Sequence, residues 1–500
     1  MHPRSAAALC AGVLSLTTIG APAAMAAAKH RVTLRVIGRN GHASSAAHVQ
    51  VEQLDGDGGS QPDPHRPFRL PRGTFAITAE IENGDDTTIG VQVVKVTGDR
   101  TVTFDARKGR PLRFAVDGAV PQDGYAQAMP LINGDQALLS YDGAREIGSM
   151  FVIPMRDRRV SLIAAATLSR DDGTDRYDLV HVVKGGLPEH PAFTDRRSTL
   201  TRVDMNFRRL DEGQSGALDL EASVGGATLD VAGTELKALP DRTVSYRSPG
   251  VAWQAIVSLS GPQGEQQLTE PSARASRAGH RTETWGAGSW GANTDGIDSS
   301  LDETGLTFMP REPFCPPEHG LVLRCTLTTS VRSRLYRSGK LLKETRGDLH
   351  YKIPKQTDWY TLTLDATRPA GTRLSTRLAG SWRFPAARPG GGAGSAPLLM
   401  IEYAPRALNS RNEAARGSVT TVPVYVDNAG HKSAIRTLTV EASTDGGHTW
   451  RRLPARRDGG HWTVQIRNPN APGTVSLRAT AKDARGDSTT QTLTAAYAVA

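Results

Sequence analysis

Apolar and polar residues alternate one by one along most of this chain. Val32, Leu34 and Val36 do so in RVTLRVIG, Val49 and Val51 in HVQVEQL, and Phe75, Ile77, Ala79 and Ile81 in GTFAITAEIEN. Ile89, Val91 and Val93 continue the pattern, followed by Val102 and Phe104 in RTVTFDA. A period of two sends successive side chains to opposite faces, so each run predicts a strand with one face buried. The i, i+3, i+4, i+7 spacing of an amphipathic helix is scarcely found. Between the runs stand NGH, DGDGG, LPRG, NGDD and TGDR, which supply turn chemistry. Residues 29–108 therefore read as one small β-sandwich.

Strand-like runs continue through 109–388 (SMFVIPM, RRVSLIAAATLS, RYDLVHVV, TRVDMNF, VAWQAIVSLSG), separated by Gly- and Asp-rich turns. One large sandwich or two smaller ones both fit this region. WGAGSWGANTDGIDSSLDETG reads as a long loop, and the Gly- and Pro-rich segment 389–397 as a linker. Beyond it Val422, Val424 and Val426 alternate, then Leu438, Val440 and Ala442, then Trp462, Val464 and Ile466. That spacing predicts an immunoglobulin- or fibronectin-like sandwich over 398–500. Within it, STDGGHTW at 443–450 matches the Asp-box of sialidase propeller blades, but a propeller repeats the box and this chain has one copy. Asp445, Gly446 and Gly447 instead predict a tight hairpin turn, with Trp450 folding back onto the core. The expected fold class is all-β, as tandem β-sandwiches.

Two resemblances sharpen this. FRLPRGTFAITAEI, after a strand of the RVTLRVIGRNG type, resembles the transthyretin-type, carboxypeptidase-regulatory-like domain. Pro71 fixes φ at the turn entry, Gly73 releases the chain and Phe75 fills the core. DWYTLTLDATRPAGTRLSTRLAGSWRFPA and PLLMIEYAPRALNSRNEAARGSVTTVPVYV are similar to parts of the accessory tail of secreted actinobacterial subtilisin-like serine proteases. The resemblance implies a regulatory-like domain, a β-rich middle and an immunoglobulin-like end, without the protease domain.

The N-terminus changes the expected compartment. MHPR followed by AAALCAGVLSLTTIGAPAAMA, with small residues at Ala24, Ala26 and Ala28, reads as a Sec signal peptide over residues 1–28. The apolar stretch is short and broken by Thr, Gly and Pro, and no other is long enough to span a bilayer. Cleavage removes Arg4 from 60 Lys and Arg and nothing from 51 Asp and Glu, which leaves a net charge of +8. Acidic residues interleave with Arg throughout, so no strip forms a nucleic-acid footprint. Without Cys10, Cys315 and Cys325 remain, and two cysteines in an exported chain predict one disulfide. A zinc site with His319 would lack a fourth ligand.

Catalytic patterns are sparse. The nearest fragments to a subtilisin triad, GSMF around Ser149 and HGL at His319, stand in the wrong order on strand-like sequence. G-x-S-x-G, H-E-x-x-H and H-x-H are absent, and the 13 His are scattered. PEHP and PEHG read as turns. Calcium loops at Asp55 and Asp57, or at Asp295, Asp298 and Asp302, lack the complete ligand order. Two RGD tripeptides, at 346–348 and 485–487, fit hairpin turns. Trp285 and Trp290, in Gly-rich sequence offering little core, are the candidate sugar-stacking residues, whereas Trp359, Trp382 and Trp462 read as core. No catalytic residue, metal or cofactor is assigned. The expectation is an extracellular, non-catalytic binding or scaffolding protein whose partner is a protein or a cell-wall polysaccharide. A hydrolase with converging carboxylates in the central region, or a partner of a secreted protease, are the alternatives.

Overall fold

The computed structural model describes residues 29–56, 58–118, 123–133, 136–137, 145–169, 175–262, 264–269, 274–275, 277–294, 296–316, 322–324, 329–428, 430 and 432–500. The expected signal peptide, Asp57, Asp295, His319 and Cys325 lie outside them. The described chain is built of strands, with short 3-10 turns at Ala106–Lys108 and Arg197–Thr199 and no α-helix. None of its elements is a helix long and apolar enough to cross a membrane. It is all-β, and its sheets pack as tandem sandwiches.

The first half stacks four sheets of three or more described strands. A three-stranded sheet (Phe68–Leu70, His30–Ile37, Arg100–Asp105) faces a six-stranded one centred on Gly73–Asn83 and Asp86–Val96. Their shared core holds Val32, Val49, Phe75, Ile77, Ile81, Val102 and Phe104, as the alternation predicts. The six-stranded sheet is also covered on its other face. Ala76, Ile89 and Val91 point away from the first core and pack against Ala126, Leu162, Ala164, Ala166 and Leu179 of an eight-stranded sheet. Strand Gly73–Asn83 is consequently buried from Phe75 through Ile81 on both faces. Met150–Val152 and Arg110–Pro111 add to this same sheet, so it draws strands from both sides of residue 108.

The eight-stranded sheet runs through Asp123–Ile132, Met155–Ser169, Asp175–Leu187, Asp241–Arg247, Thr201–Phe207 and Gly279–Trp285. Its second face (Met129, Ile163, Ala165, Val180, Val203, Met205, Phe207) packs on Leu218, Leu220, Trp253, Val257 and Leu259 of the fourth sheet. Buried on both faces, Met155–Ser169 carries small residues at Ala164, Ala165 and Ala166. Small side chains let layers close on both sides of a strand without voids.

The second half has a nine-stranded sheet as its spine. Strand Arg377–Ala386 pairs with Ser488–Val499, in register from Arg377↔Thr494 to Arg383↔Ser488. Two four-stranded sheets complete the two sandwiches. Phe308 of one lies 5.9 Å from the Trp382 ring of the spine. Leu399 of the other accepts from Trp382 Nε1 at 2.8 Å and from Gln491 Nε2 at 2.9 Å. The segment 389–397, expected as a linker, carries the short strand Gly394–Ser395, which pairs with Leu301 and Ser300. Ala396 is fully buried. The parts on either side of it share one sheet and one core.

A polar junction ties the two halves together. Asn412 is fully buried, with φ at 57°. Its Oδ1 accepts from Gly288 N at 2.9 Å, and its Nδ2 donates to the carbonyls of Arg209 and Gly286, both at 3.0 Å. Next to it, Arg368 forms a buried ion pair with Asp211, whose Oδ1 also accepts from Arg373 N. Gln214 Oε1 takes the N–H groups of Leu210 and Asp211. Removing one partner of such a buried pair leaves an uncompensated charge, so Asp211→Ala is expected to lose about 3–5 kcal/mol in urea denaturation.

The 443–450 segment is a hairpin turn joining Ile435–Ser443 to Arg451–Leu453. Asp445 accepts from Ser443 Oγ at 2.6 Å and from Thr449 N at 2.9 Å, and Trp450 Nε1 donates to Gly447 O at 2.9 Å. The Ser443 and Thr449 hydroxyls hold the Asp445 carboxyl far below its ordinary value of 3.8. A depressed carboxyl stabilises the fold above its unfolded value and loses that contribution as pH falls toward the folded one. Asp445→Asn is therefore expected to lower Tm at pH 7, and the gap to the parent should close in scans below about pH 3.8.

Candidate ligand-binding cleft

Strand register gathers polar side chains at one end of the eight-stranded sheet. Glu146 pairs with Tyr125, Tyr125 with Thr167, Thr167 with Asp178 and Asp178 with Arg247. Two residues along, Asp123 pairs with Ser169, Ser169 with Arg176 and Arg176 with Ser245. Directly opposed residues share a face, so both rows point toward the fourth sheet. Further along the same face the row becomes Ala165 and Val180, part of the apolar core. Where polar rows replace it, a cleft of about 510 Å³ opens between the two sheets. Asp123, Tyr125, Glu146, Thr167, Asp175 and Arg176 line it, with Thr234 and Gly233 entering from the fourth sheet.

Its floor is fixed by a buried network. Arg176 Nε donates to Asp178 Oδ1 at 2.7 Å, and Asp178 also accepts from Thr167 Oγ1 at 3.2 Å and Ser245 Oγ at 2.7 Å. Ser245 Oγ in turn accepts from Arg247 Nε at 3.0 Å. At one edge Arg197 pairs with Asp175 and donates to the Tyr246 hydroxyl, and the Tyr246 ring stacks on Tyr177 at 5.1 Å. Gly124 is required at the wall: its φ is 153°, and a Cβ there would stand 2.4 Å from Thr167 O. Beside the cleft, burial pushes the carboxyls of Asp219 and Glu221 up, and the charge of Asp230 adds to both shifts. Glu221 stands directly across from Asp230. The mouth differs from the floor: Asp123 and Glu146 are exposed, and Tyr125 is 45% exposed. A second, shallower concavity lies between Thr294, Ser395, Val426 and Lys432.

Several residues singled out in the sequence take other roles. Trp285 and Trp290 are not surface platforms; both are buried in the main core. The glycines around them let the backbone run close under the junction, where Gly286 and Gly288 bond Asn412 and Trp290 N donates to Ser375 Oγ at 3.0 Å. Glycine here marks close packing rather than an open loop. Trp382 is core as expected, while Trp359 and Trp462 are half-buried, their rings under Arg383 and Arg457. Cys315 is buried and disulfide-bonded. Ser149 lies in a turn, its carbonyl accepting from Thr87 N at 2.8 Å. Asp55 accepts from Thr74 N at the start of the strand Gly73–Asn83, Asp302 caps a turn through Thr304 N, and Asp298 is exposed on a strand. Of the RGD aspartates, Asp487 is buried and Asp348 exposed. Among the described residues no group of three or more His, Cys, Asp or Glu is placed to hold a metal ion.

No family model matches the chain, and no curated protein matches it. Among solved structures it is similar, at 12% identity and a TM-score of 0.15, to a bacterial ice-binding adhesin, over 60% of this chain and 98% of that one. Escherichia coli alpha-2-macroglobulin activated by porcine elastase aligns over 93% of this chain and 53% of its own, at 11% identity and a TM-score of 0.15. The human desmocollin-1 ectodomain aligns over 91% and 92%, at 10% identity and a TM-score of 0.14. Similarity at this level carries no argument about activity. The burial of Trp290 does carry an expectation. Trp290→Ala should cost about 3–5 kcal/mol in denaturant titration, as a large core truncation does, with no change in ligand affinity for the fraction that folds.

Proposed function

We propose that the protein is an exported, non-catalytic binding scaffold, and that the cleft at Tyr125 is where a cell-wall polysaccharide or glycan-bearing protein is held. The observation that supports this reading most directly is the form of the cleft. A floor fixed by the Arg176–Asp178 pair and its hydroxyl partners lies below an exposed aromatic ring and exposed carboxylates at the mouth. Sugar sites use this combination: the ring covers the C–H face of a pyranose, and fixed hydroxyls and carboxylates take its hydroxyl groups. The volume lies within the roughly 300–1,000 Å³ common for small-ligand sites. The polar junction joins the half that carries this site to the half built on the shared spine, which suits a scaffold.

One observation favours a second reading. Asp123, Glu146 and Asp175 line the same cleft, and a pair of carboxylates is what glycoside hydrolysis requires. Asp175 is already held by Arg197, which leaves Asp123 and Glu146 as the pair that reading would use.

Sedimentation of residues 29–500 with insoluble peptidoglycan, chitin and cellulose separates these readings. Retention on at least one polymer is expected, weakened about tenfold by Tyr125→Ala, a loss near 1.4 kcal/mol. Retention on none overturns glycan binding. Release of reducing ends that disappears in Glu146→Gln establishes the hydrolase instead.

A further inference from the structure

We propose that this cleft selects glycans carrying a free, protonated amino group. The inference rests on the binding reading above and narrows it to one ligand chemistry.

It follows from the charges inside the cleft. Arg176 is committed to Asp178 at 2.7 Å, and Asp175 to Arg197. Those pairs cancel. Asp123 and Glu146 form no ion pair among the described residues, and both stand at the mouth, on either side of Tyr125 in the lining. Register fixes their relation: Glu146 is directly opposite Tyr125, and Asp123 lies two residues before Tyr125, on the same face. Among the described residues the mouth therefore offers two negative charges with no ion-pair partner beside an exposed ring, with the hydroxyls of Thr167, Ser169, Thr234 and Thr243 around them.

Each ligand class meets this lining differently. An anionic sugar is repelled by Asp123 and Glu146. A neutral sugar satisfies the ring and the hydroxyls but leaves both charges unpaired. A bare divalent cation has no group of three ligating side chains among the described residues. A protonated amine on a sugar ring brings three donors to carboxylates that can only accept, and a positive charge within reach of the Tyr125 face. The hydroxyls of the same sugar meet the threonines. The chain as a whole carries a formal net charge of +9. Long-range attraction thus works against a cationic ligand, and recognition has to come from the local pair of carboxylates.

The test is calorimetric titration of residues 29–500 with four trimers at low salt: glucosamine, N-acetylglucosamine, glucose in cellotriose, and lysine. The glucosamine trimer is expected to bind at least tenfold more tightly than the other three. Glu146→Gln and Asp123→Asn should each weaken it about tenfold, and raising the pH until the amine loses its proton should abolish the preference. Both side chains are exposed, so both variants should keep the parent's thermal midpoint, which separates loss of binding from loss of fold. Equal binding of the N-acetylglucosamine trimer overturns amine selection while leaving the glycan reading standing. Equal binding of the lysine trimer overturns the sugar requirement. No binding of any sugar trimer overturns both.

Discussion

Arg368 and Asp211 meet where water does not reach, and the relation between the two halves of the chain depends on that contact. A guanidinium and a carboxylate lose several kcal/mol of hydration each on burial, so they persist only if geometry and further hydrogen bonds compensate. Here the compensation comes from both sides. Asp211 receives Arg373 N, and Arg368 donates to Leu374 O at 3.0 Å. Asn412 adds a second clamp to two backbone segments of the first half. An apolar contact would have allowed the modules to slide. A set of directional bonds fixes one arrangement, and the core then runs without interruption from Met129 to Val499.

The strand pattern was legible because burial on one face leaves a period of two. Val32, Phe75, Val422 and Val464 fall in the core as that period requires. Less legible was which strands are covered twice. The buried Thr78 and Glu80 lie inside a stack but from sequence look like the polar half of ordinary alternation, whereas the continuous apolar run at 163–166 marks such a strand. Glycine was the ambiguous residue. In STDGGHTW it meant a turn, as expected. In TWGAGSW it meant a close approach beneath Asn412, so the indoles expected outside lie inside.

The cleft had no sequence motif because register builds it. Tyr125, Glu146, Thr167 and Asp178 are spread over four strands and become neighbours only through three pairings. A local signal does exist. In RYDLVHVV, Arg176 and Asp178 occupy one face of a strand whose other face carries Tyr177 and Leu179, and the first face turns apolar at Val180. A buried strand that is polar for half of one face and apolar for the rest marks the place where two sheets part.

The shared spine makes two parts of the chain depend on one strand. Strand Ser488–Val499 lies between Arg377–Ala386 and Gly473–Asp483, so it closes two edges at once. A chain cut short at residue 487 would lose the buried Leu493, Tyr497 and Val499 and display two open edges, each a template for another copy. Such a product would show unpaired backbone as well as a gap in the core. The strand Ser488–Val499 thus works as a seal: with it in place both neighbouring edges are paired, and without it both are open templates.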